Sequence, residues 1–160
     1  MSVNRFVPHV LVLPEDDANR QIAVGFRLAI DSVRCFKILP VAGGWNEVLH
    51  LFVTDHVREM ENNENRLMIL LIDFDGKEDR FSKARASIPP QLVDRVFVIG
   101  TWTEPEYLRQ AMHESFERIG ISLSEDCRNG TATTWNHELL RHNKDELDRL
   151  SVSVRPILYD

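Results

Sequence analysis

The most restrictive feature of this sequence is a run of six consecutive apolar residues, Leu67–Ile72, that ends at Asp73. An unbroken apolar run of this length is typical of a central parallel strand that helices cover on both faces. Three other apolar runs lie at His9–Leu13, Cys35–Val41 and Arg95–Ile99. Because helix-forming segments alternate with these runs, the sequence predicts a single doubly wound α/β domain with a mostly parallel sheet of about four strands and a C-terminal helix.

The segments between the strands carry apolar residues at helical spacing, which predicts where the helices lie. Gly120 is placed to end the helix that begins near Glu104, so Ser122–Thr134 is expected to be a loop. The last apolar stretch, Val152–Leu158, is expected to form a closing edge strand. The predicted helices cover Asp17–Val33, Val48–Met60, Glu104–Ile119 and Trp135–Leu150.

The composition limits the classes of function that the chain can have. Its 160 residues suit one domain, and the 43% apolar and 28% charged residues are close to the globular average. No apolar run approaches the roughly 18 residues of a membrane span, so we expect a cytoplasmic protein with no membrane partner. The net charge of −6 provides no global basic field, so any binding of nucleic acid must be local.

Acidic residues or glycines follow each of the four predicted strands. Ligands of parallel sheets bind at the carboxyl ends of the strands, which meet at one edge of the sheet. We therefore expect these strand-end residues to converge. In chain order they are Glu15, then Gly43 and Gly44, then Asp73 and Asp75, then Glu104 and Glu106.

Asp73 and Asp75 place two carboxylates at the end of one buried strand, where their mutual repulsion is costly unless a cation lies between them. Mg²⁺ prefers oxygen ligands and usually binds one or two carboxylates together with water and phosphate. Glu15, from another strand end, completes a candidate Mg²⁺ or Mn²⁺ site. The alternative is that Asp73 caps a turn and that Asp75 and Gly76 are ordinary turn residues.

These strand-end residues resemble the pattern of the TOPRIM fold, which occurs in topoisomerases, primases and nucleases of the OLD (overcoming lysogenization defect) type. That pattern has a Glu after the first strand, matched by Glu15, and a Gly after the second, matched by Gly43 or Gly44. It has an Asp-x-Asp after the third strand, matched by Asp73 and Asp75.

The resemblance extends to Val96–Tyr107, which is similar to the strand and acidic helix start of small stand-alone TOPRIM-like proteins. It covers roughly residues 8–118 and leaves residues 119–160 as a C-terminal helical extension. It implies that Glu15 is a general acid/base or metal ligand and that Asp73 and Asp75 hold Mg²⁺ or Mn²⁺. The implied activity is on phosphodiester bonds of nucleic acid, as a nuclease. The ATPase of the OLD proteins would have to be a separate partner protein.

Three other interpretations use the same architecture. The first is a non-catalytic TOPRIM-like module that binds a partner protein, for example in a phage-defence or mobile-element system. The second is a degenerate response-regulator receiver domain, with Asp73 as phosphoacceptor and Thr101 or Thr103 after the fourth strand. The third is a haloacid-dehalogenase phosphatase, which Asp73–Gly76 resembles, but too few residues follow for the remaining motifs of that fold.

A cluster of positive charge directly follows the Asp-x-Asp pair and is suited to contact phosphates. Lys77 is the candidate catalytic cation, and Arg80 and Lys83 are candidates for phosphate contact. The alternative is a solvated helix whose charges pair with neighbouring acids. Glu104 and Glu106 are candidates for a second metal site, or they are acids favoured near the N-terminus of a helix.

Overall fold

The central strand predicted from the apolar run is β3 (Arg66–Leu71) in the computed structural model, which describes residues 3–160. It lies between β1 (His9–Pro14) and β4 (Val96–Ile99), and β2 (Phe36–Ile38) flanks β1 on the far side. All four strands are parallel, in the order β2-β1-β3-β4. The predicted α/β class, with a four-stranded parallel sheet and a C-terminal helix, is therefore confirmed.

Eight α-helices connect and cover the strands in the described part of the chain. They are α1 (Asp17–Leu28), α2 (Trp45–Leu51), α3 (Val57–Asn62), α4 (Glu78–Ala86), α5 (Pro105–Met112), α6 (Phe116–Asn129), α7 (Lys144–Ser153) and α8 (Arg155–Leu158). A π-helical stretch at Phe52–His56 joins α2 to α3, so the predicted second helix is nearly continuous. Within residues 3–160, no helix has the length and apolar character needed to cross a membrane.

Three predicted elements are longer than the observed ones. The first helix ends at Leu28 and not at Val33, and the second strand is confined to the three residues of β2. The last long helix begins at Lys144, because the residues from Trp135 onward form turns and a short 3₁₀ segment at Arg141–Asn143.

The sheet buries both of its faces, because successive side chains of a strand point to opposite sides. On one face, Val10, Ile69 and Phe97 pack with buried side chains of α1, α5, α6, α7 and α8. On the other face, Leu11 and Leu70 pack with α2, α3 and α4. Helices on both sides explain why β1, β3 and β4 are almost wholly apolar and do not alternate with polar residues, whereas β2 carries the exposed Lys37.

The helix predicted at Glu104–Ile119 is two helices, α5 and α6. The chain turns between them at His113, whose φ of 54° is left-handed. The Ser115 side chain then caps α6 by accepting a hydrogen bond from the backbone N–H of Arg118 (3.1 Å). Since α6 continues to Asn129, the loop predicted at 122–134 is wrong over most of its length.

Gly120, which the sequence predicts to end a helix, lies inside α6 where that helix packs directly on α1. A Cβ atom at Gly120 would lie 2.0 Å from the carbonyl oxygen of Ile22. A Cβ atom at Gly25 of α1 would lie 1.9 Å from the carbonyl oxygen of Glu117. Because real Cβ atoms do not approach backbone so closely, both helices need glycine at the contact. Gly120 therefore allows α6 to pack closely on α1 and does not terminate a helix.

The C-terminal segment is helical, so the edge strand predicted at Val152–Leu158 is not formed. Two side chains that precede it, Asn143 and Glu146, instead form hydrogen bonds with the free edge of β4. Glu146 Oε2 accepts a hydrogen bond from the backbone N–H of Val98 (2.7 Å). Asn143 accepts one from the N–H of Gly100 (3.2 Å) and donates another to its carbonyl oxygen (2.9 Å). An edge whose backbone groups are already bonded offers little to a further strand.

Candidate functional site

The carboxyl ends of β1 and β3 lie side by side, which brings Glu15 and Asp73 together. The two strands pair in parallel along their whole length. Beyond the last pair, the backbone N–H of Glu15 donates to the carbonyl oxygen of Leu71 (2.9 Å). Oε2 of Glu15 accepts a hydrogen bond from the backbone N–H of Asp73 (2.6 Å). We call this region, where the strands end, the carboxyl edge of the sheet.

Asp73 is buried at the carboxyl edge and is held by the first turn of α1. Its Oδ1 accepts a hydrogen bond from Nδ2 of Asn19 (2.9 Å), and the same Nδ2 donates to Asp16 (3.0 Å), the N-cap of α1. Burial raises the pKa of Asp73 to about 7, the bond from Asn19 opposes the rise, and the charges of Glu15, Asp16 and Glu106 add to it. The carboxyl group of Asp73 therefore titrates near neutral pH.

Glu15 lies half-buried beside Asp73 and shares its electrostatic environment. Burial raises the pKa of Glu15, and the neighbouring charge of Asp16 acts in the same direction. The hydrogen bond from the Asp73 backbone and the guanidinium of Arg80 oppose the rise. The two carboxyl groups thus hold protons more tightly than exposed ones do, because burial disfavours their charged forms and the opposing hydrogen bonds do not fully offset it.

Asp75 does not join this pair. Its backbone is left-handed, with a φ of 52°, and its carboxylate is exposed. Oδ2 of Asp75 lies 3.8 Å from Nζ of Lys77 and 3.5 Å from a guanidinium nitrogen of Arg80. The repulsion expected between Asp73 and Asp75 is accordingly absent from the causes that raise the pKa of Asp73, which are burial and the charges of Glu15, Asp16 and Glu106.

The acidic groups of the carboxyl edge form only part of a metal site. Among residues 3–160, no three His, Cys, Asp or Glu side chains are grouped so that they could hold a metal ion together. What the edge provides is the pair Glu15 and Asp73. Mg²⁺ commonly takes one or two protein carboxylates and completes its octahedron with water and phosphate oxygens. The pair is therefore a chemically suitable but incomplete donor set.

Arg80, which the sequence marks for phosphate contact, is fixed against the carboxyl edge. Its guanidinium donates to the carbonyl oxygen of Asp73 (2.9 Å) and lies 4.9 Å from the centre of the Trp45 ring. Lys83 also lies over Trp45, at 5.7 Å, and pairs with Asp79 at 3.2 Å. These contacts place two cations and an aromatic ring on one side of the acidic pair.

The turn after β2 approaches the carboxyl edge through its backbone. Gly43 has a φ of 98° and donates from its backbone N–H to the carbonyl oxygen of Glu15 (2.9 Å). Gly44, with a φ of 153°, is the N-cap of α2. A Cβ atom at either glycine would have nothing within 4 Å, so the turn is open to the surroundings. Glycine is required here by the backbone angle and not by crowding.

Glu104 and Glu106 lie at the start of α5 and are not equivalent. Glu106 is half-buried, and its charge is close enough to contribute to the raised pKa of Asp73. Glu104 is exposed, occupies the N-cap position and makes no side-chain capping bond. Of the two, the structure brings Glu106 toward the acidic pair and leaves Glu104 in solvent.

Sequence reasoning missed Asn19, the residue that touches Asp73 from α1. Asn19 is 1% exposed and connects the N-cap Asp16 to the strand-end Asp73. The only sequence signal is that Asn19 lies three residues after Asp16. A residue at this position can donate a hydrogen bond to the side chain that caps the helix. Its bond to Asp73 spans 54 residues and has no local signature.

Comparison of the chain with protein-family models, with curated proteins and with solved structures finds no significant match in any of the three. The function proposed below therefore depends on the geometry of the carboxyl edge and on the strand-end motif.

Proposed function

We propose that the chain is a TOPRIM-like protein that binds Mg²⁺ or Mn²⁺ at the carboxyl edge and acts on phosphodiester bonds of nucleic acid as a nuclease. The observation that carries this proposal is the contact between Glu15 and Asp73, with the Asp73 N–H donating to Glu15 at 2.6 Å. Two carboxyl groups with raised pKa values at neighbouring strand ends are the kind of site that a divalent cation stabilises.

Glu15 and Asp73 would hold the metal, and the cation would supply positive charge that stabilises a phosphate in the transition state. Asp75 remains a proposed third ligand, although it would first have to leave its ion pairs with Lys77 and Arg80. Since both pairs are longer than 3.4 Å and Asp75 is exposed, their opening costs little. A second metal at Glu104 and Glu106 is less well supported, because only Glu106 approaches Asp73.

Other steps of phosphodiester cleavage, namely proton transfer and phosphate binding, would be carried out by side chains of the chain itself. Glu15 is suited to accept or release a proton because burial raises its pKa above the ordinary glutamate value. Arg80 is held in place by Asp73 and Trp45, so it presents a preorganised positive charge to a phosphate. Lys77 and Lys83 are exposed and suited to neutralise further phosphates along a strand. The Trp45 ring lies against Arg80 and Lys83 and helps to hold their positive charges at the carboxyl edge.

The test is a cleavage assay on single- and double-stranded DNA and RNA with Mn²⁺ or Mg²⁺ at micromolar protein. We expect cleavage that EDTA abolishes and that Glu15→Gln and Asp73→Asn each reduce at least 100-fold, as expected when a ligand or general acid/base is removed. Glu125→Gln, an exposed change on α6, is the matched control and should cleave like the wild type. No cleavage of any of the four substrates with Mn²⁺ would reject the nuclease.

A second candidate is a non-catalytic module of the same fold that binds a partner protein such as a separate ATPase. The specific observation in its favour is that no three-carboxylate or comparable metal group is assembled in residues 3–160. A cation that binds without any cleavage, or no cation binding at all, would favour this module. Isothermal titration with Mn²⁺ distinguishes those two outcomes.

A further inference from the structure

The carboxyl group of Asp73 has one oxygen that the fold holds and one that is free. Its Oδ1 accepts the hydrogen bond from Nδ2 of Asn19 (2.9 Å). Its Oδ2 forms no hydrogen bond with the part of the chain that the structure describes, and it is not among the fully buried atoms that lack a partner. Although Asp73 is only 8% exposed, Oδ2 therefore keeps accessible surface and is the oxygen through which Asp73 can reach a cation.

The amide of Asn19 is itself fixed, so it can hold Oδ1 of Asp73 in one orientation. Its Nδ2 also donates to Oδ1 of Asp16 (3.0 Å), and the backbone N–H of Asn19 donates to the same oxygen (3.0 Å). Both partners of Nδ2 are carboxyl oxygens that need a donor, so the amide cannot turn over without placing its own oxygen against them. Bonds on both sides of a buried amide leave the Asp73 carboxyl group little freedom to rotate.

The cap of α1 does not by itself require an amide at position 19. Asp16 caps the helix through the backbone N–H of Asn19, a bond that any residue except proline can form. The amide also carries a cost, because its Oδ1 is buried and has no partner. What asparagine adds here is the bond from Nδ2 to Asp73, which joins α1 to the end of β3. The side chain is therefore explained by the carboxyl edge and not by the helix.

We propose that Asn19 is a positioning residue that directs Oδ2 of Asp73 to the cation and thereby favours Mg²⁺ or Mn²⁺ over Ca²⁺. This role depends on the metal site proposed above. With Oδ1 bonded to Asn19, Asp73 offers a single oxygen, which suits the regular octahedron of Mg²⁺ with its retained waters. Glu15 is restricted in the same way, because its Oε2 accepts the N–H of Asp73. Ca²⁺ has a larger and more flexible shell and often takes both oxygens of a carboxylate, which the bond from Asn19 disfavours.

The experiment compares binding of Mn²⁺ and Ca²⁺ to the full chain without nucleic acid, so no readout depends on cleavage. Isothermal titration gives the Mn²⁺ affinity, and competition against Mn²⁺ gives the Ca²⁺ affinity. Asn19→Leu removes the donor and should lower the Mn²⁺ affinity at least about 10-fold, as is usual when the group that orients a metal ligand is lost. The Ca²⁺ affinity should fall less, because Asp73 can then offer both oxygens, so the preference for Mn²⁺ should narrow by at least about 3-fold. If Asn19→Leu does not fold, Asn19→Ala removes the same donor without adding volume.

Two further variants separate positioning from general stability. Asn19→Gln keeps the amide, and the cavity of about 420 Å³ that Asn19 lines has room for one more methylene. It should recover the Mn²⁺ affinity to within about 3-fold of the wild type. Asn143→Leu is the matched control, since Asn143 is also 1% exposed but bonds the backbone of Gly100. It should destabilise the fold and leave both cation affinities unchanged.

The wild type decides first whether there is a metal site. A wild type that binds no Mn²⁺ would reject the metal site of the proposed function, and this role with it. Wild-type binding together with unchanged Mn²⁺ affinity in Asn19→Leu and Asn19→Ala would overturn the role of Asn19 alone. A loss in Asn143→Leu equal to that in Asn19→Leu would mean a general loosening of the fold and would overturn it as well. An unchanged ratio of Mn²⁺ to Ca²⁺ affinity in Asn19→Leu would remove its part in selecting the cation.

Discussion

Asn19 donates a hydrogen bond of 2.9 Å from Nδ2 to Oδ1 of Asp73, so that the first turn of α1 holds the carboxyl group at the end of β3. This bond favours the charged form of Asp73, yet burial and the neighbouring acids outweigh it and raise the pKa of Asp73 to about 7. Without a cation, the folded chain therefore carries an unfavourable charge at its candidate site. A functional site that is held at some expense of stability is a common outcome.

Replacing Asp73 by Asn tests this electrostatic cost. The pKa of Asp73 is higher in the folded chain than its ordinary value of 3.8, so the folded state binds the extra proton between about pH 4 and pH 7. The wild type should accordingly lose stability as pH rises through that window. In EDTA at pH 8, Asp73→Asn should be more stable by about 1 to 3 kcal/mol, because Asn19 keeps an acceptor and the buried charge is gone.

Urea denaturation at pH 8 and at pH 5 measures this difference, which should shrink at pH 5. Asp94→Asn, an exposed change in the turn before β4, is the control and should shift stability by less than about 0.5 kcal/mol at both values. An Asp73→Asn protein that is less stable than the wild type at pH 8 would mean that the carboxylate is stabilising where it lies.

Asp75 has a different expected behaviour. Its carboxylate is exposed and pairs loosely with Lys77 and Arg80, and asparagine tolerates the left-handed φ of 52°. In EDTA, Asp75→Asn should therefore change stability by less than about 0.5 kcal/mol. Millimolar Mg²⁺ should raise the melting temperature of the wild type by mass action, and Asp75→Asn should lose much of that response if Asp75 is a ligand.

Thermal melts with EDTA and with Mg²⁺ measure both effects, and Asp79→Asn serves as the control. Asp79 is also an exposed aspartate paired with a lysine, Lys83, so the variant should keep the full Mg²⁺ response. A full response in Asp75→Asn would restrict the metal site to Glu15 and Asp73. A wild type that does not respond to Mg²⁺ or Mn²⁺ would contradict the metal site as a whole.

The parts of the fold that the sequence predicted are those with a local cause. The central strand β3 is an apolar run whose side chains are buried on both faces of the sheet, so it could be placed from Leu67–Ile72 alone. The meeting of Glu15 and Asp73 follows from two strand ends in one parallel sheet. The break between α5 and α6 was missed because apolar residues keep helical spacing across it, at Leu108, Met112, Phe116 and Ile119.

The remaining details of the site depend on contacts between distant segments. Whether the Asp75 carboxylate joins Asp73 or turns away is decided by one left-handed backbone angle and by the cations Lys77 and Arg80. Asn19 is polar and lies among helix residues, so its burial against Asp73 could not be inferred from spacing. Gly120 had a plausible local explanation as a helix end, and only the packing of α1 on α6 shows its actual role.

Gly120→Ala should be strongly destabilising for that reason. The added Cβ would lie 2.0 Å from the backbone carbonyl oxygen of Ile22, so the two helices must separate to admit it. We expect a loss of at least about 2 kcal/mol, although alanine favours a helix more than glycine does. Ser122→Ala in the same helix, two residues away, is the control and should be close to neutral. A Gly120→Ala protein as stable as the wild type in urea would contradict the close contact of α1 with α6.

His9 gives the protein a predictable response to acid. Its side chain is 0% exposed, Nδ1 lies 2.8 Å from the carbonyl oxygen of Val7, and Nε2 accepts a hydrogen bond from Nε of Arg66 (3.1 Å). A neutral ring that carries its proton on Nδ1 satisfies both contacts, whereas a second proton on Nε2 would face the guanidinium. Burial lowers the pKa of His9, and the charges of Arg66 and Arg5 lower it further.

The folded chain binds this proton less readily than the unfolded chain, so acid favours the unfolded state. The stability that neutral His9 contributes to the folded state is fully present above the ordinary histidine pKa of 6.5 and is lost as pH falls below it. Between pH 7.5 and pH 5.5 the wild type should lose about 1 kcal/mol more stability than His9→Gln, whose side-chain oxygen can accept the bond from Arg66 without titrating. Urea denaturation at the two pH values measures this difference, and His50→Gln, an exposed change on α2, should show the same pH dependence as the wild type. If His9→Gln loses as much stability on acidification as the wild type does, another group and not His9 is responsible for the acid response.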